Sequence, residues 1–141
     1  MRWMLDTNTA SYVIRCRPPG VKRRFDAVGH GNLAISVVVL AELLYGAEQH
    51  PTHGDDIRAD IDDFRRRFAV LHWSETAAAH YAQIRAQLRK AGTPIGNIDL
   101  LIAAHARAEG AVLVTTNLGE FRRVDGLTLE DWLEAPDVLT W

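Results

Sequence analysis

The chain has 141 residues, a formal net charge of −2, 48% hydrophobic and 24% charged residues. This composition excludes a dominantly disordered chain and suits one compact domain burying roughly two-thirds of its unfolded surface. A net charge of −2 also excludes a uniformly basic nucleic-acid coat. The apolar runs fall far short of the roughly 20 residues of a membrane span, so no membrane partner is expected. Asp6 comes too early for a signal peptide, and the single cysteine, Cys16, cannot form an intramolecular disulfide. Both fit a cytoplasmic protein. The 14 arginines against two lysines favour bidentate phosphate contact, although codon usage is the simpler account of such a bias.

Short strands alternate with helices along the chain. Trp3-Met4-Leu5 reads as a strand ending at Asp6, and Thr7 to Arg15 as a helix that stops before Pro18-Pro19. Val21 to Val28 reads as a second helix. Leu33-Ala34-Ile35 is a strand, and Ser36 caps a helix from Val37 to about Gln49. The next helix, about Asp55 to Phe68, carries the apolar stripe Ile57, Ile61, Phe64 and Phe68. Its terminal Arg65, Arg66 and Arg67 complement the helix dipole on a solvated face, with RNA contact the other reading.

Val70 to Trp73 is the third strand, and Ser74 caps a helix to about Ala91. After the loop at 92–96, Ile98 to Glu109 is a helix ended by Gly110. Val112 to Thr115 is the fourth strand, with a short fifth near Leu127-Leu129. This alternation predicts an α/β fold with a mostly parallel sheet and helices on both faces. Ligands of such sheets bind beyond the carboxyl ends of the strands.

Three acids stand where ordinary surface acids do not. Asp6 closes the first strand. Glu42 interrupts an apolar helix whose neighbouring positions are Val38, Val39 and Tyr45. Asp99 lies in the first turn of Ile98-Asp99-Leu100-Leu101-Ile102-Ala103-Ala104, a helix apolar nearly all round. Each has a plain structural role open to it: a cap for Asp6 or Asp99, a buried Arg partner for Glu42. Together they are more informative, and Asn117 and Glu120 follow the fourth strand at the same edge. Carboxylates about 4 Å apart repel by about 4 kcal/mol at an effective dielectric of 20. A cation relieves that repulsion, and an oxygen-only donor set suits Mg²⁺ or Mn²⁺. Such a site supports phosphodiester hydrolysis.

Four segments carry a family likeness. They are Met4-Leu5-Asp6-Thr7-Asn8, Ser36 to Gly46, Ile95 to Ala106, and Leu113 to Phe121. In order, spacing and total length the chain resembles the PIN-domain family, and within it the VapC-type ribonuclease toxins of toxin–antitoxin pairs. The resemblance implies a PIN-like three-layer α/β/α fold with four or five strands, residues 1–141 forming one domain. It implies that Asp6, Glu42 and Asp99 hold Mg²⁺ or Mn²⁺ and that Glu120 completes the catalytic set. The family's fourth acidic position looks like Asn117 here, a departure that bears on a second metal. Thr7, Asn8 and Thr115 would support the site.

It further implies RNA as substrate, a cognate VapB-like antitoxin, and a homodimer or toxin–antitoxin hetero-oligomer. Val13, Ile14 and Val37–Val39 are candidate dimer positions, with core packing the simpler reading. Two other readings are a PIN nuclease of RNA processing without antitoxin, and a PIN-like domain that binds without cutting. A phosphotransferase using Asp6 would want an acid at position 8, which is Asn8. His50 and His53 read as a solvated loop, and His105 as packing or helix-end polarity. Cys16 reads as incidental, and Trp3, Trp73 and Trp132 as core, while Trp141 ends the chain.

Overall fold

The computed structural model describes residues 1–16, 18–67 and 69–133. Five short strands run through it: β1 (Trp3–Leu5), β2 (Leu33–Ser36), β3 (Ala69–Leu71), β4 (Val112–Val114) and β5 (Thr128–Glu130). They form one wholly parallel sheet in the order β3-β2-β1-β4-β5. Strands covered on both faces read as continuous apolar runs. Met4, Leu5, Ile35, Leu113 and Val114 are accordingly buried at the centre of the core.

The helices among the described residues are α1 (Thr7–Arg15), α2 (Pro19–Val28), α3 (Val37–Gln49), α4 (Gly54–Arg65), α5 (Glu75–Ala91), α6 (Asn97–Ala108) and α7 (Leu118–Phe121). Asp6 caps α1 by accepting from the Thr9 amide at 2.9 Å, and Cys16 ends it in the left-handed region at φ 55°. Ser36 caps α3 and Ser74 caps α5. The chain builds outward from β1 through β2 to β3, then crosses back to β4. Right-handed crossovers therefore separate α1–α4 from α5 and α6, giving three layers. α3 also meets α6, which brings the helix of Glu42 against the helix of Asp99.

Several boundaries differ from the sequence expectation. α2 begins at Pro19 rather than Val21, because a proline at the first helical position has no amide to satisfy. α4 ends at Arg65 with Arg66 as its cap, and Phe68 lies outside the described residues. β3 starts and ends earlier than expected, since Trp73 leaves the strand to donate its indole N–H to the Leu101 carbonyl at 3.0 Å. α7 was not expected at all. Trp132 is buried, whereas Trp3 and Trp73 are only half-buried against the core. Trp141 lies outside the described residues. No helix among the described residues is long and apolar enough to cross a membrane.

Candidate active site

The chain reverses direction across the sheet between β1 and β4, which makes their carboxyl ends the topological switch point. Asp6 stands at that point. Its amide donates to the Val114 carbonyl at 3.0 Å, so the residue directly follows the β1–β4 ladder. Its side chain is buried and receives hydrogen bonds from the Thr9 amide and the Thr115 hydroxyl. Burial nevertheless outweighs these bonds and raises its pKa above the usual aspartate value, with the charge of Asp131 adding to the rise.

Asp99 sits in the first turn of α6 and is pushed up to about 7. Burial is the largest cause, followed by a hydrogen bond shared with Glu120 and by the charges of Glu120, Asp6 and Glu42. Four acids from four separate elements are therefore electrostatically coupled at one sheet edge. Glu42 is half-buried on α3 and accepts from the Thr7 hydroxyl at 3.4 Å. Glu120 on α7 accepts from the Gly96 amide at 2.9 Å and from the Asn117 side-chain amide. A Cβ at Gly96 would lie 3.6 Å from Asp99 Oδ2 and 3.8 Å from Glu120 Oε1, so the backbone there lies close against both carboxylates.

The supporting residues divide. Thr7 and Thr115 touch the acids directly, and Thr115 Oγ1 also accepts from the Asn117 amide at 2.9 Å. The Asn117 side chain reaches the site through Glu120. Asn8 is exposed and makes no hydrogen bond to the acids among the described residues. Tyr45, expected within an apolar surface around Glu42, is 64% exposed.

Two features escaped the sequence reading. Asp131 follows β5 at the same edge and acts on Asp6; the strand-end rule that singled out Asp6 finds it once β5 is extended to Glu130. The second is a buried contact behind the site. His105 Nδ1 lies 2.7 Å from Ser36 Oγ, the same oxygen that caps α3 by accepting from the Val38 amide at 3.1 Å. It ties the helix of Asp99 to the start of the helix of Glu42. Burial lowers the His105 pKa, so the ring stays neutral. Its Nε2 is buried without a well-formed hydrogen bond, although the His72 backbone favours the charged ring.

The donor set fits a hard divalent cation. It is oxygen-only, crowded and partly protonated, and a cation can take the place of the proton that Asp99 and Glu120 share. Among the described residues no three His, Cys, Asp or Glu side chains stand close enough together to hold a metal ion as they are. The carboxylates are within electrostatic reach of one another.

The PIN-domain sequence profile matches residues 3–127. The chain belongs to the PIN-domain family. This PIN domain is 43% identical over 132 residues to the tRNA(fMet)-specific endonuclease VapC of Shigella flexneri, covering 94% of this chain and 98% of the relative. It is 44% identical over 133 residues to Ribonuclease VapC2 of Haemophilus influenzae, with 94% and 99% covered. Among solved structures it matches DNA-bound VapBC from Salmonella typhimurium with a TM-score of 0.88 and 41% identity, covering 94% of this chain and 98% of that one. VapBC2 of Rickettsia felis, bound to a DNA fragment from its promoter, matches with a TM-score of 0.87 and 38% identity, covering 94% and 99%. The PIN domain thus spans nearly the full length of these VapC relatives.

Proposed function

We propose that this chain is a divalent-metal-dependent endoribonuclease, the toxin of a VapBC-type toxin–antitoxin pair, with residues 1–141 acting as one cytoplasmic PIN domain. The observation that carries the reading is the coupling of Asp6, Glu42 and Glu120 to Asp99 at the switch point of a parallel sheet. The similarity to VapC ribonucleases supports the same reading. The residues would hold Mg²⁺ or Mn²⁺, which supplies charge neutralisation and Lewis acidity toward a phosphodiester when bound.

Each residue then has a task. Asp6 and Asp99 are the main ligands, and the Thr9 and Thr115 bonds aim the Asp6 carboxylate. Glu42, steadied by Thr7, serves as a further ligand or accepts a proton from the attacking water. Glu120, held by the Gly96 amide and Asn117, closes the far side and takes the role that Asn117 cannot. Hydrolysis by water in this pocket breaks the bond to the 3′ oxygen and leaves a 5′-phosphate and a 3′-hydroxyl.

The partner we propose is a VapB-like antitoxin, in keeping with the VapBC complexes among the matching structures. A toxin homodimer within that assembly follows from the same reading. The test is cleavage of a structured RNA pool containing tRNA by purified, antitoxin-free protein in Mg²⁺, Mn²⁺ or excess EDTA, with Asp99→Asn in parallel. Metal-dependent cleavage absent from the variant is the expected result. Cleavage that persists in EDTA, or in the variant, overturns the reading.

A further inference from the structure

A cleft of about 340 Å³ is lined in part by the residues that flank Gly96 in the chain. Arg85 and Arg89 of α5 line one side, and Pro94, Ile95 and Asn97 the other. Gly96, between the last two, is the residue whose amide holds Glu120 and whose Cα faces Asp99. Two arginines thus share a cleft with the immediate chain neighbours of the residue that lies against the carboxylates. Arg123 reinforces its rim by donating from Nη1 to the Pro94 carbonyl at 3.0 Å.

Among the described residues the cations divide into those paired with a carboxylate and those that are not, and the cations at this cleft fall in the second group together with Arg15, Arg65, Arg66 and Arg107. Arg2, Lys22, Arg24, Arg58 and Arg67 each pair with a carboxylate. Arg85, Arg89, Lys90, Arg122 and Arg123 form no ion pair among the described residues. Arg89 and Lys90 complement the α5 dipole, but Arg85 lies a turn earlier and Arg122 and Arg123 lie on another element. Arg85 is also held in place, with Nη1 donating to the Tyr81 hydroxyl at 3.0 Å and its guanidinium 5.9 Å from the Tyr81 ring centroid. A chain with net charge −2 and a crowded acidic pocket repels a polyanion. Positive charge left unneutralised beside that pocket offsets the repulsion locally.

We propose that this cleft carries the ribose–phosphate backbone of the RNA strand next to the scissile bond, with Arg85 and Arg89 contacting its phosphates. The inference rests on the ribonuclease reading above. Phosphate contacts fix register without reading bases, so the arginines would set affinity rather than cleavage sequence.

The test compares wild type, Arg85→Ala/Arg89→Ala, Arg85→Lys/Arg89→Lys and a control, Arg65→Ala/Arg66→Ala. A fluorescein-labelled RNA hairpin with an unpaired loop is followed by polarisation across a salt series, and by steady-state cleavage in Mg²⁺. The alanine pair should raise KM about tenfold at unchanged kcat. It should flatten the slope of log affinity against log salt by about 1.4, since each phosphate contact to a single strand contributes about 0.7. The lysine pair should keep the slope, and the control should keep both values. All four side-chain positions are exposed, and circular dichroism checks folding. An unchanged KM and slope, or an equal loss in the control, overturns the proposal. A change in sedimentation with RNA affinity intact overturns it too, and makes the cleft an interface between copies. A wild type that cuts RNA while the variants behave alike defeats the cleft alone; a wild type that neither binds nor cuts defeats the ribonuclease reading with it.

Discussion

The two ends of the central sheet are built on opposite electrostatic terms. At the amino end, the Arg2 carbonyl accepts from the Val112 amide at 2.9 Å and the Arg2 guanidinium pairs with Glu109 at 3.2 Å. Gly110 takes the left-handed turn into β4 at φ 62° without strain. At the carboxyl end, Asp6, Glu42, Asp99 and Glu120 are coupled and none forms an ion pair among the described residues. One end is satisfied by the chain itself. The other is left for something outside the chain to complete, and the same sheet rigidly supports both.

The comparison breaks most visibly if the carboxyl end is neutralised. Asp99→Asn and Asp6→Asn should each lower RNA cleavage at least about a thousandfold, as expected when charge stabilisation of a phosphoryl centre is lost. Asp99→Asn should at the same time unfold at an equal or higher temperature than wild type in EDTA at pH 8, because a repelling charge is gone. A variant that is both active and destabilised would place the function elsewhere.

pH sharpens the same contrast. Asp99 titrates near 7 in the folded chain and near 3.9 when unfolded. At Asp99 the fold therefore binds more protons than the unfolded chain between those values, and the metal-free stability it contributes falls as pH rises from about 4 through 7. Asp6 is raised as well and contributes with the same sign. His105, lowered by burial, contributes with the opposite sign over the same range, so the Asp99 effect is read as a difference. From pH 5 to pH 8 in EDTA the melting temperature of wild type should fall relative to that of Asp99→Asn, and Mg²⁺ or Mn²⁺ should recover more of it at pH 8 than at pH 5. A flat difference would mean that the carboxylates separate freely instead of sharing a proton.

The acids themselves were legible in sequence because each broke a local rule. Asp6 ended an apolar strand, and Glu42 and Asp99 interrupted apolar helices. Glu120 was found from its position just past β4. Asp131 escaped because β5 was read as ending at Leu129, one residue short of its observed end at Glu130. Tyr45 misled for a different reason. An apolar spacing identifies a face without saying whether that face is covered, and here it is 64% exposed. The Ser36–His105 contact joins residues 69 apart, and no local pattern encodes a pairing that only tertiary packing creates.

That contact supplies the next test. His105→Ala removes a buried ring and leaves Ser36 short of a partner, which should cost about 2–4 kcal/mol in urea unfolding. Ser36→Ala loses the α3 cap as well and should cost about 1–2 kcal/mol. The two changes share one interaction, so the double variant should cost less than their sum by about 1 kcal/mol. Strict additivity would show that the two side chains act independently. Cleavage should fall alongside stability here, because the contact tethers the helices of Glu42 and Asp99.

The smallest effect belongs to the amino end. Arg2 and Glu109 are partly exposed and meet through one contact, so solvent screens most of their attraction. Surface pairs of this kind contribute about 0–1 kcal/mol. Arg2→Gln should therefore shift the urea midpoint by the equivalent of about 0.5 kcal/mol or less. It should leave kcat, KM and the pH dependence of melting unchanged, since no charge at the carboxyl end is altered. A measurable loss of cleavage in Arg2→Gln would show that strain at one end of the strands reaches Asp6 through β1, and the two ends would then be coupled rather than separate.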